Sequence, residues 1–123
     1  MWVQENANPL KNHVGDCVVR AISKATGKSW DRTFTEICVV AYDLKDMPDA
    51  NRVWGEYLRQ CGYKRVTIPN ECPNCYTIER FCADHPQGNF VVAVEGHVVC
   101  VIDGNHIDTW DSSQEVPIFY WEV

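Results

Sequence analysis

No stretch of this 123-residue chain approaches the roughly 20 apolar residues that a membrane-spanning helix needs, so no membrane partner is expected. The amino end, Met1-Trp2-Val3-Gln4-Glu5-Asn6, lacks the basic start and the apolar run of a secretory signal. A cytoplasmic location is the expectation. Clustered positive charge is missing as well. The net charge is −6, and Lys11, Arg20, Lys28, Arg52 and Lys64 are scattered. Nucleic acid, which needs a basic face, is therefore not an expected partner. Repeats, low-complexity tracts and linkers are also lacking, and the length suits one domain over residues 1–123. Nor is the cysteine count even. Seven cysteines without an export signal argue against a disulfide framework, and most should be small core residues. The chain does carry five Trp, five Tyr and four Phe, enough large apolar pieces to build a core without a staple.

The pattern changes character along the chain. Residues 1–15 read as extended or irregular, with Pro9 and Gly15 as breakers. Asp16 is a plausible N-cap for a helix through about Thr26, with Val18, Ala21, Ile22 and Ala25 at helical spacing and Gly27 after its end. Ser29 can cap a second helix to about Leu44, whose expected buried stripe is Trp30, Phe34, Ile37, Cys38 and Ala41. A third helix is expected from Asp49 to Gly62, a strand over 63–68, and a short helix over 77–85. β-rich runs then follow at 90–94, 98–102, 106–110 and 116–121. Asp103-Gly104 is a strong hairpin signal, and Pro117 suggests an edge strand. Helices first and an antiparallel sheet last make an α+β pattern, with N-terminal helices packed on a small C-terminal sheet.

One cysteine stands apart. Cys17 falls in the first turn of the first helix, where free backbone N–H groups and the helix dipole favour a thiolate. Such a nucleophile needs a base and a group to orient that base. If Asp103 and Gly104 form the turn, Ile102 pairs with Asn105 and His97 faces Trp110, with Asp108 one diagonal step away. Asp108 can then fix the imidazole; a slip in register would favour Asp111 instead.

This order, a helix-head Cys, a strand-head His and an acid on the returning strand, resembles that of papain-like (clan CA) cysteine peptidases. Asp108-Thr109-Trp110 looks like a carboxylate version of the papain Asn-Ser-Trp motif, in which the Trp shields the His–Asn contact. Gly15-Asp16-Cys17-Val18-Val19-Arg20-Ala21-Ile22, His85-Pro86-Gln87-Gly88 and the run from Gly96-His97 to Ser113 resemble small papain-like or peptidase C39-like proteins of bacteria and their phages. The likeness spans roughly residues 10–121. It implies acyl transfer on a peptide or protein substrate through a thioester on Cys17, with His97 as base, Asp108 as orienting acid and no cofactor. Papain-like enzymes place an oxyanion-hole Gln just before the Cys; here the nearest Gln upstream is Gln4, so Asn12 is the expected donor, with His13 a weaker substitute.

Three other readings compete. A transglutaminase- or acetyltransferase-like enzyme would use the same trio. A papain-like fold without activity would serve as a protein-binding module or a phage-encoded inhibitor. Cys72-Pro73-Asn74-Cys75 and Cys82-Ala83-Asp84-His85 carry zinc-ligand types at C-x2-C and C-x2-H spacing. Only six residues separate the pairs, and the expectation is no metal.

Overall fold

The computed structural model describes residues 1–69 and 76–123. It is an α+β fold, with four helices on a six-stranded mixed sheet. In chain order the elements are β1 (Trp2–Gln4), α1 (Cys17–Thr26), α2 (Trp30–Leu44), α3 (Asn51–Gln60), β2 (Lys64–Thr67), α4 (Ile78–Asp84), β3 (Asn89–Val94), β4 (His97–Ile102), β5 (Asn105–Asp108) and β6 (Pro117–Glu122). Among the described residues no helix is long and apolar enough to cross a membrane.

The helices start and stop where local chemistry directs. Gly27, at φ 76°, closes α1 with its N–H on the Ser23 carbonyl. The Ser29 hydroxyl accepts from the Arg32 N–H and caps α2. Thr77 does the same for α4 through Arg80. The third helix begins at Asn51, two residues later than expected, because Ala50 occupies the cap position in an extended conformation.

The sheet runs β1-β5-β4-β3-β6-β2. Asp103 and Gly104, both at positive φ, form the β4–β5 turn and pair Ile102 with Asn105, the expected register. Two expectations need correction. The sheet is not wholly antiparallel, for β1 joins β5 in parallel, pairing Gln4 with Asp108. Nor is β6 an edge, since it lies between β3 and β2. Pro117 is tolerated there as the first residue of its strand, beside the register shift between Ala93 and Val94.

Apolar clusters cover both faces. On one, α1, α2 and α3 bring Ile22, Ile37 and Trp54 against Val91, Val98, Cys100 and Trp121. On the other, Ile78, Phe81 and Cys82 of α4 meet Phe90, Val92 and Val101. The buried face of α2 is Thr33, Ile37, Val40 and Ala41. It is rotated from the expected stripe, which shares only Ile37 and Ala41 with it. Phe34 is 42% exposed and stacks on Trp30, with ring centroids 5.1 Å apart. Two adjacent helical stripes carried apolar residues, and periodicity alone does not choose between them.

Candidate active site

Cys17 is the first residue of α1, and Asp16 before it holds the N-cap position without capping. Its carboxylate turns to other partners. Oδ1 accepts from Arg20 Nη1 at 2.9 Å, and Oδ2 accepts from Asn8 Nδ2 at 3.1 Å and Trp30 Nε1 at 3.0 Å. Asp16 is 7% exposed, and a buried carboxylate demands such pairing. The network ties the loop before α1, the helix itself and the start of α2 together directly beside the thiol.

His97 opens β4 after the left-handed Gly96, at φ 70°. Its Nε2 lies 2.6 Å from Asp108 Oδ2, at the end of β5. Asp108 is itself held, by the Thr109 N–H at 2.8 Å and the Ser112 hydroxyl at 3.1 Å. The Trp110 ring lies over His97, 4.9 Å between centroids. With Nε2 taken by Asp108, Nδ1 is the nitrogen left to serve the Cys17 sulfur.

The electrostatics follow from these contacts. Burial opposes the charge on His97, but hydrogen bonds to Asp108 and Cys17 and their negative charge push its pKa up to about 9. Burial likewise opposes a Cys17 thiolate. The His97 hydrogen bond and charge, the Val98 backbone and the Arg20 charge outweigh it and lower the thiol's pKa. Burial wins instead at Cys100, pushed up to about 12, and at Cys82, also raised. Cys17 and His97 thus each favour the charged form of the other.

The other expected positions are distributed as follows. Asp111 does not reach His97; its Oδ1 lies 3.1 Å from Nε2 of a different, buried histidine, His106. Asn12 is exposed in the loop before α1, where its backbone carbonyl accepts from Asn6 Nδ2 at 3.0 Å. Among the described residues no hydrogen bond orders its side-chain amide towards Cys17. His13 is exposed as well. Cys72 and Cys75 lie outside the described residues; among those described, no group of three or more His, Cys, Asp or Glu side chains could hold a metal ion.

Sequence reasoning missed Asn8, Arg20, Trp30 and Ser112. The Asp16–Arg20 spacing, four apart at a helix start, was a readable signal for one of these contacts. Trp30 was assigned to the core, and nothing local marks Asn8 or Ser112. A mainly apolar cleft of about 190 Å³ is lined by Gly15, Asp16, Val18, Val19, Phe34, Pro48 and Asp49, and none of Cys17, His97 and Asp108 lines it. Compared with protein-family models, with curated proteins and with solved structures, the chain matches none.

Proposed function

We propose that this chain is a papain-like cysteine hydrolase that cleaves a peptide or related amide bond in a peptide or protein substrate, without a cofactor. The observation that carries the reading is the His97 imidazole held by Asp108 at 2.6 Å and set against a thiol whose pKa it lowers.

In the first step the Cys17 thiolate attacks the carbonyl carbon and forms a C–S bond. The His97 imidazolium gives its proton to the departing amine nitrogen as the C–N bond breaks. A water then attacks the thioester while neutral His97 takes its proton; the carboxylic acid leaves and the thiolate–imidazolium pair returns. The Cys17 backbone N–H, free at the head of α1, is one donor to the oxyanion.

A second reading, a papain-like fold that binds without cleaving, is favoured by one observation: Asn12 is exposed, and among the described residues no hydrogen bond holds its amide beside Cys17. Timed labelling separates the two. Iodoacetamide at neutral pH, followed by peptide mapping, should modify Cys17 at least about tenfold faster than Cys82 or Cys100. An activated ester such as p-nitrophenyl acetate, quenched in acid, should leave its acyl group on Cys17. Equal labelling of the three thiols with no trapped acyl group would overturn the hydrolase reading and leave the binder.

A further inference from the structure

Arg20 is an odd residue to find where it lies. It sits one turn into α1, on the helix that carries Cys17, with its side chain only 12% exposed. Lys24, one turn further on, keeps its charge at the surface, 38% exposed and paired with Glu5 at 2.8 Å. A guanidinium held out of water is costly unless carboxylates surround it. Arg20 has two. Nη1 donates to Asp16 Oδ1 at 2.9 Å, and Nη2 lies 3.9 Å from Asp108 Oδ1. The second separation is too long for a hydrogen bond and short enough for a strong charge contact where water is scarce.

These two carboxylates belong to the two halves of the site. Asp16 directly precedes the thiol on the helical side, and Asp108 holds the imidazole on the sheet side. We infer that Arg20 is a positioning residue for the proposed hydrolase, a two-armed strut that fixes the helix bearing Cys17 against the strand bearing Asp108 and favours the thiolate by its charge. The inference rests on the cysteine-hydrolase reading and adds to it a residue outside the Cys17, His97 and Asp108 trio.

The geometry explains why arginine suits the position. Its planar fork reaches both carboxylates at once, whereas a lysine ammonium is a single point on a flexible stem. Charge placement matters equally. The charged groups facing Cys17 are His97 from β4 and Arg20 from its own helix. Those facing Arg20 are Asp16, ahead of α1, and Asp108, from β5. Asp108 is thus shared by one cation that donates to it and another that only attracts it. Removing Arg20 leaves two buried carboxylates with less compensation and takes a positive charge from beside the thiolate.

The test is the pH dependence of Cys17 alkylation by iodoacetamide between pH 5 and 9, with wild type, Arg20→Met and Arg20→Lys side by side. A merely structural role would not move that profile in a folded variant. In Arg20→Met the acid limb should shift upward, so that Cys17 labels about tenfold more slowly at pH 6 and nearly normally at pH 9. Arg20→Lys keeps the charge and loses the fork. Its acid limb should stay close to that of wild type while hydrolysis of p-nitrophenyl acetate slows severalfold. A folded Arg20→Met protein with the wild-type profile overturns the inference. If Arg20→Met does not fold, Arg20→Lys carries the test alone, and an acid limb displaced by a full pH unit with the charge retained overturns it. The two levels stay distinct: a wild-type Cys17 with no preferential labelling sinks the hydrolase reading, whereas a reactive wild type with an indifferent Arg20→Met sinks only the role of Arg20.

Discussion

Two cysteine–histidine–aspartate sets lie among the described residues, and their thiols are perturbed in opposite directions. Cys17, His97 and Asp108 form the first. In the second, His106 Nδ1 lies 4.0 Å from Cys82 Sγ and His106 Nε2 lies 3.1 Å from Asp111 Oδ1. The residue types are the same and the outcomes are opposite, since the thiol pKa falls at Cys17 and rises at Cys82. Position explains the difference. Burial is the largest influence on both thiols; Cys17 heads its helix, where His97 and Arg20 outweigh burial, whereas Cys82 sits inside the short α4, where burial prevails. The acids differ too. The Asp108 side chain is 3% exposed and the Asp111 side chain 50%, so solvent screens the second pair. A nucleophile is made by where the chain puts the three groups.

The contrast is broken most forcefully by exchanging the two histidines' fates. His97→Ala should lower hydrolysis of p-nitrophenyl acetate on the order of 100-fold per folded molecule, the usual consequence of losing a positioned base, and should also lower the urea midpoint, because the buried Asp108 loses its partner. His106 is 2% exposed and among the largest fully buried side chains. His106→Ala should therefore destabilise the protein by about 2 kcal/mol or more while the remaining folded molecules turn over at close to the normal rate. If His106→Ala abolished turnover in a folded protein and His97→Ala did not, the assignment of the two sets would be reversed.

A smaller effect comes from pH. The His97 pKa is raised from 6.5 to about 9 in the folded protein. Stability from that group is complete below about pH 6.5 and disappears as the pH climbs through about 9. Cys17 runs the other way: its lowered pKa contributes stability above the ordinary thiol value, and that contribution is lost as the pH falls through the folded value. Both charges coexist only between these limits. Turnover should form a plateau that starts below the usual thiol range and falls by about tenfold per unit beyond pH 9. A profile that rises steadily through pH 9 would mean that neutral Cys17 and His97 are the resting state.

How much of this was legible depended on whether the information was local. Ser29, Thr77, Gly27 and the Asp103-Gly104 turn act on their immediate neighbours, so helix ends and hairpin register could be read directly. That register in turn brought His97 towards Asp108. What failed depended on distant partners. Strand β1 is three residues long and exists because β5, about a hundred positions later, offers it an edge. Pro117 looked like an edge residue because its sequence says nothing of β2, which closes the sheet beyond it. Trp30 and Phe34 read as core by spacing; Trp30 instead turns its indole N–H to Asp16, and Phe34 stays at the surface. The approach of His97 to Asp108 was visible in the sequence, and the polar network around Asp16 and Asp108 was not.

The finest distinction between the two sets lies in what holds each acid, and Ser112 tests it. Its hydroxyl donates to the same Asp108 Oδ2 that receives His97, and the residue is wholly buried. Replacing it with alanine removes one of the contacts that orient the carboxylate, at a cost of about 1 kcal/mol, and should slow p-nitrophenyl acetate hydrolysis a few-fold. The other contacts to Asp108, from the Thr109 N–H and the charge of Arg20, remain, so the pH 9 limb should keep its place. Asp111 is held from the surface side by the Ser113 N–H, and Asp111→Asn should change neither stability nor rate by a comparable amount. Matching small losses in Ser112→Ala and Asp111→Asn would mean that both loops merely pack, and that Asp108 needs no oriented hydrogen bond to serve His97.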